Sequence, residues 1–220
     1  MMPFRKALNV AFVAVVLSIL SGCYVPLRFD AEIEFNRQGA YKIIYDGYLV
    51  ELNIYKGLQA GTLSRKKEKE RAATAVKDLK RDRKATKVAE YLNQGRLKFT
   101  WEKEGDLLQD KMIAFLRRNQ QFITLRYVKT KRRVYLKGMT LGEKRLKQML
   151  DMGLTFEGQI RMITDARVLS HDADIVKRGP KTTYVWNINP RAYVDKINKR
   201  KAETNGKAAI VTFPNMEIKM

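Results

Sequence analysis

Cysteine, histidine and acidic side chains are all scarce in this chain, and each scarcity closes off a kind of chemistry. Cys23 is the single cysteine among 220 residues, so neither an internal disulfide nor a multi-thiolate metal site can form. His171 is the single histidine, whereas zinc enzymes ordinarily supply two or more. The sequence holds no Gly-x-Ser-x-Gly elbow, no P-loop and no dinucleotide-binding glycine fingerprint. No internal repeat or low-complexity linker divides it. Its acidic residues number 23 against 44 lysines and arginines, a formal net charge of +21. A charge of that size attracts a polyanion, although it also simply keeps a domain soluble.

What is present begins at the N-terminus. Arg5 and Lys6 are followed by an uncharged apolar run, Val10 to Leu17, and then by small residues. That layout is a secretory signal. The run falls short of the ~20 residues a spanning helix needs, so an uncleaved anchor helix is the weaker reading. Leu20-Ser21-Gly22-Cys23 resembles a bacterial lipobox. The resemblance implies cleavage between Gly22 and Cys23, a diacylglycerol on the Cys23 thiol and an acylated new amino group. Two or more acyl chains, at ~0.8 kcal/mol per buried CH₂, make a stable anchor. In such lipoproteins an aspartate after the cysteine favours inner-membrane retention. Tyr24 stands there, so in a cell with two membranes the expected location is the outer one, facing the periplasm. Residues 1–22 are thus expected to be a signal peptide and 23–220 one lipid-anchored envelope domain. In that compartment nucleic acid is not the polyanion at hand. Anionic phospholipid, lipopolysaccharide, glycolipid or another envelope polymer is, with an acidic protein partner as the alternative.

Along the mature chain, Leu27, Phe29, Ala31, Ile33 and Phe35 alternate with Arg28, Asp30, Glu32 and Glu34, the period of a half-buried strand. Asn36 to Gly39 form a turn and Tyr41, Ile43 and Tyr45 return, making a hairpin behind a short tether, Tyr24-Val25-Pro26. A short helix is expected within Tyr48 to Tyr55, closed by Gly57 or Gly61. Ser64 to Gln94 is charge-rich and reads as helical with a break near Arg81-Asp82-Arg83. Between Arg65 and Lys87 it carries eleven basic and four acidic residues. Lys80, Arg81, Arg83, Lys84 and Lys87 project from that bend and are the expected contacts for an anionic surface, against the plainer reading of a solvated helix face. Leu97, Phe99 and Trp101 mark a strand. Leu108, Met112 and Phe115 have helical spacing after a cap at Asp106. Ile123 to Leu136 is a second hairpin whose Arg132 and Arg133 form a second basic surface. Thr140 and Glu143 fit a capping box, Gly153 closes that helix, and Gly158 suggests a bulge in the strand containing Phe156, Ile160 and Met162. A short strand at Ala166 to Ser170, another at Tyr184 to Ile188, a helix from Arg191 to Lys201 and a β-rich tail from Ala208 to Phe213 complete the chain. Hairpins with helices inserted between them make the fold class α+β with a mostly antiparallel sheet.

The stretches Gly153-Leu154-Thr155-Phe156-Glu157-Gly158, Thr164-Asp165-Ala166, His171-Asp172-Ala173 and Tyr184-Val185-Trp186 resemble the C-terminal half of LppM-like bacterial lipoproteins, which also open with a β-hairpin at a lipidated cysteine. The resemblance implies a small α+β binding domain facing lipid or glycolipid and transfers no catalytic residue. His171, Asp172 and Asp174 offer an acid–base or hard-metal group on paper, but turn capping uses aspartates the same way. Ser170 and His171, adjacent on a strand, point to opposite faces and cannot form a dyad. The expectation is a binding protein without cofactor or metal, not an enzyme. Trp101 and Trp186 fall at alternating positions and belong to the core.

Overall fold

A computed structural model describes residues 24–117, 120–205 and 209–220. Cys23 and Gly22, the expected lipidation and cleavage positions, lie outside the described residues. The first strand, β1 (Tyr24–Phe35), and its partner β2 (Ala40–Glu51) form the expected hairpin. Asn36 builds its turn by accepting the amides of Gln38 and Ala40 through one side-chain oxygen, and Gly39 takes a φ of 100°, which a side chain would resist. Ala31, Ile33 and Phe35 are buried on one face. On the other, Arg161 pairs with Asp30 and Glu32.

One seven-stranded sheet runs β10 (Ile175–Lys177), β11 (Thr182–Ile188), β8 (Glu157–Thr164), β1, β2, β4 (Arg96–Asp106), β3 (Thr86–Asn93). A five-stranded sheet runs β5 (Met112–Arg117), β6 (Gln120–Val128), β7 (Arg133–Gly142), β12 (Ile210–Lys219), β9 (Arg167–His171). The fold is α+β and mostly antiparallel, as the hairpin pattern implies, with β1 and β8 paired in parallel. The inner faces of both sheets belong to one apolar core. Phe29 and Tyr45 of the larger sheet meet Phe122 and Phe115 of the smaller, with ring centroids 4.9 Å apart for Phe29–Phe122 and 4.4 Å for Tyr45–Phe115. Trp101 and Trp186 are both buried.

Phe29 reaches that cluster because its two cross-strand neighbours are glycines, Gly47 on β2 and Gly158 on β8. A Cβ on Gly47 would stand 2.5 Å from the Arg28 carbonyl oxygen, and one on Gly158 would stand 2.5 Å from the Phe29 ring. Gly158 therefore marks a close approach of an aromatic ring, not the expected bulge; the register of β8 against β1 is unbroken there.

Helices fill the connections: α1 (Leu52–Gln59), α2 (Arg65–Leu79), the single turn α3 (Leu107–Asp110), α4 (Glu143–Asp151) and α5 (Pro190–Glu203). Tyr48 to Tyr55 divides between the two possibilities its pattern allowed. The strand runs to Glu51, whose carboxylate caps α1 by accepting the Ile54 amide at 2.6 Å, and Gly61 with φ 64° follows the helix. The expected second helix up to Gln94 is instead the strand β3. The chain does leave the helix near Arg81, but β4 presents Leu97, Phe99 and Trp101 and a row of backbone groups to any neighbour. Pairing Ala89 with Phe99 and Tyr91 with Leu97 satisfies both, which outweighs the weak helical preference of a charged segment. The helix expected through Met112 and Phe115 stops after one turn. Asp106 caps it as anticipated, but Lys111 takes a φ of 62° and Ile113 and Phe115 enter β5 as buried strand residues.

The capping box also fails. Helix α4 begins after Gly142; Thr140 stays in β7, sharing a 2.8 Å hydrogen bond with Thr212 of β12, while Glu143 pairs with Lys201 of α5 at 2.6 Å. Gly153 follows α4 with φ 71°. In α5, Tyr193 and Ile197 are buried as expected and Val194 is not. The C-terminal strand is Ile210–Lys219, longer than the expected tail, whose Ala208 lies outside the described residues. Nor is there a tether: Tyr24, Val25 and Pro26 are buried members of β1.

Gly47→Ala is expected to destabilise the domain by about 1–3 kcal/mol, seen as a lower urea midpoint, because the new methyl meets backbone rather than a movable side-chain tip. An unchanged midpoint would show that β1 and β2 do not need this approach.

Candidate functional site

Helix α2 lies over the end of the larger sheet and is tied to it at several points. Ser64 caps it, accepting the Lys67 amide at 3.4 Å. Near its start Glu68 accepts the Tyr91 hydroxyl and, at 3.3 Å, the Gln94 amide. At its end the Leu79 carbonyl accepts the Thr86 hydroxyl at 2.9 Å. In the middle, the Ala75 carbonyl accepts the Tyr24 hydroxyl at 3.4 Å. Its buried residues are Ala72, Ala75 and Leu79, two of them small enough to let the backbone come close to the sheet.

Between α2 and the edge strand β3 runs an open groove of about 1400 Å³. Its apolar floor includes Ala72, Val76 and Tyr91. Six cations line it: Lys69, Lys77, Lys80, Arg81, Arg83 and Lys87, with Asp78 as the one carboxylate of the lining. Arg81 is held by Asp78 at 3.2 Å. Lys69, Lys77, Lys80 and Arg83 have no ion-pair partner among the described residues. On the outer face of the same sheet, by contrast, Lys98 is paired with Asp46, Lys42 with Glu102 and Arg161 with Asp30 and Glu32. The groove thus concentrates positive charge that the described residues leave largely unneutralised.

Four of the five cations expected from the sequence, Lys80, Arg81, Arg83 and Lys87, come together here. Lys84 is outside the lining and contributes its carbonyl, which accepts the Lys87 ammonium at 3.5 Å. The turn between α2 and β3 is fixed by the Ala85 and Thr86 amides, both donating to the Asp82 carbonyl, and by the Asp82–Lys103 pair at 2.9 Å. Lys69 and Lys77 were not anticipated. A signal for them exists: at about 100° per residue, positions 69, 73, 76, 77 and 80 fall on one side of a helix.

Arg132 and Arg133 lie elsewhere, in a smaller groove of about 460 Å³ beside Lys131, Arg167 and Lys219. Arg133 is neutralised by Glu217 across the β7–β12 pair, so this second cluster presents less free charge than its sequence suggests. Around His171 the carboxylates hold the fold. One oxygen of Asp172 accepts both the Trp186 indole and the Asn215 amide at 2.8 Å, and Asp174 accepts the Asn187 amide at 2.7 Å. His171 accepts the Ala173 amide and meets the Tyr184 ring edge-on. Among the described residues no group of three or more histidine, cysteine or acidic side chains is arranged to hold a metal ion.

The architecture is similar to a solved one. The NMR structure of the folded domain of LppM from Mycobacterium tuberculosis aligns over 90% of this chain and 91% of its own, at 12% identity and a TM-score of 0.41. No protein-family model and no curated protein matches the chain.

Tyr91 lines the groove and accepts the Gly95 amide at 2.9 Å. Burial first, and then its hydrogen bond to Glu68, push its phenol up to about 12. A raised phenol pKa favours the folded state while neutral: that contribution is whole below the ordinary tyrosine value of ~10 and is lost as pH rises through about 12. Tyr91→Phe is expected to cost about 1–2 kcal/mol at neutral pH, leaving Glu68 and the Gly95 amide short of a partner. Urea denaturation should show the gap between variant and parent narrowing above pH ~10; a gap that stays constant would refute the coupling.

Proposed function

We propose that this chain is a cell-envelope binding protein, anchored through lipid on Cys23, whose groove between α2 and β3 contacts an anionic envelope component. The observation that carries the reading is the set of four cations, Lys69, Lys77, Lys80 and Arg83, left without an ion-pair partner among the described residues along one groove. Location supports it. Tyr24, the neighbour of Cys23, donates to the Ala75 carbonyl in the middle of the helix that bears Lys69 and Lys77, so that helix is tied to the residue beside the anchor position. A lysine or arginine near an anionic surface contributes about 1 kcal/mol, and this falls off within the Debye length of ~8 Å at physiological salt. Only cations held that close contribute.

Phospholipid phosphate, the phosphates of lipopolysaccharide and acidic glycolipid headgroups share the required chemistry. The work of the site is binding, with no reaction, cofactor or metal assigned to it, and nucleic acid is not the polyanion of this compartment. In a cell with two membranes, Tyr24 after the cysteine argues for the outer membrane and a periplasm-facing domain.

Residues 24–220 are expected to co-sediment with phosphatidylglycerol-containing vesicles and not with phosphatidylcholine vesicles, and to release as salt rises. Replacing Lys80, Arg83 and Lys87 together by glutamine should weaken binding on the order of 100-fold, from three contributions of about 1 kcal/mol. Equal binding to both vesicle types, or none to either, would overturn the proposal. Salt-sensitive capture of one acidic protein without vesicle binding would mean that the groove docks a protein instead.

A further inference from the structure

A second groove lies on the other side of the same edge strand. It encloses about 420 Å³ and is lined by Leu27, Arg28, Tyr48, Tyr55, Leu92 and Arg96, among others. Leu92 is 45% and Tyr48 38% exposed, and Leu27 is half-buried beside them. Arg28 and Arg96 are exposed and lack an ion-pair partner among the described residues; Arg96 donates to the Gln94 side chain at 2.9 Å. Apolar and aromatic side chains are therefore bordered by two guanidinium groups without an ion-pair partner among the described residues.

The register fixes where this groove stands. Val25 pairs with Val50, Val50 with Arg96, and Arg96 with Asn93. With strands ~4.8 Å apart, Arg96 is about 10 Å and Leu92 about 15 Å across the sheet from Val25. Cys23 precedes Tyr24 by one residue, a Cα step of about 3.8 Å, and Tyr24 and Val25 are buried in β1. No slack chain separates the anchor position from this end of the sheet. Tyr91 lines the basic groove while Leu92, the next residue on the strand, lines the apolar one. A surface meeting the end of β3 at Asn93 touches the apolar groove and the Tyr91 end of the basic one.

We propose that this end of the seven-stranded sheet lies directly on the bilayer, with an anionic phospholipid surface as its partner. Leu27, Tyr48 and Leu92 enter the boundary between headgroups and acyl chains, where amphipathic tyrosine and leucine are favoured. Arg28 and Arg96 take lipid phosphates, for which guanidinium geometry is suited. The proposal rests on the membrane-anchored reading above and adds an orientation: the Tyr91 end of the basic groove, beside Glu68 and Lys69 at the start of α2, faces the headgroups, while its Lys87 end stands farther along the sheet, level with Ala31.

The test uses the full lipidated chain reconstituted in vesicles of phosphatidylethanolamine and phosphatidylglycerol. An environment-sensitive fluorophore is placed in turn at Leu92→Cys, Tyr48→Cys and Ile175→Cys, all exposed positions, with circular dichroism confirming the fold. Ile175 lies on the opposite edge strand and is level with Glu32, through Val185 and Arg161, not with Val25. Emission at positions 92 and 48 should shift to the blue, with quenching by spin-labelled lipid several-fold above that at position 175. Arg28→Gln with Arg96→Gln should reduce that quenching. If the chain floats with vesicles but 92 and 48 stay aqueous, or 175 is quenched as strongly, the docking face is wrong while anchorage stands. If the chain does not float, the anchored reading falls, and the docking face with it.

Discussion

Strand β1 is buried from its first described residue, and the rest of the structure depends on that. It is central, hydrogen-bonded on one side to β2 and on the other, in parallel, to β8. Phe29 projects from it into an aromatic cluster that joins both sheets, in space left by two glycines on the flanking strands. A first strand at a sheet edge would leave its leading residues at the margin of the domain. A central one makes them part of the core, so a constraint on Tyr24 is passed to the whole body. The Tyr24 hydrogen bond to α2 extends the same constraint to the helix that carries the basic groove.

Charge is distributed unevenly over this frame. On the outer face of the larger sheet, lysines and arginines oppose carboxylates on adjacent strands, and Asp46 is held below the usual carboxylate range first by its hydrogen bond from Lys98, then by that from Thr100. Such exposed pairs contribute modestly to stability, but they cancel charge locally. Along the groove most cations lack that cancellation, so mutual repulsion is tolerated where it makes the protein less stable alone. An external polyanion would relieve that repulsion, which is the physical basis of the proposal that this face, and not the many other lysines of the chain, does the binding.

Legibility followed the strength of the local signal. Strands with one buried face, such as Leu27 to Phe35 and Leu97 to Trp101, were readable because alternation is a property of consecutive residues. Where charge masked the pattern, as at Lys87 to Asn93, the sequence suggested a helix; Ala89 and Tyr91 turn inward only because β4 needs an edge partner. The Thr140–Glu143 spacing imitated a cap, but pairing with β12 claimed Thr140. Lys80, Arg81, Arg83 and Lys87 were found because they are close in sequence. Lys69 and Lys77 are not legible as part of that cluster because a groove gathers residues by helical turn and across strands.

By itself the sequence determined the mostly antiparallel α+β class, the opening hairpin, the burial of both tryptophans and the excess of positive charge, since composition and period-two patterning act over short stretches. Tertiary structure alone decided that β1 is central, that it pairs in parallel with β8, that β3 is an edge strand, and which cations stay unpaired. Those outcomes depend on contacts between residues far apart along the chain, such as Arg133 with Glu217 or Phe29 with Gly158. Whether a lysine meets a carboxylate or open water is set by which strand ends up beside it.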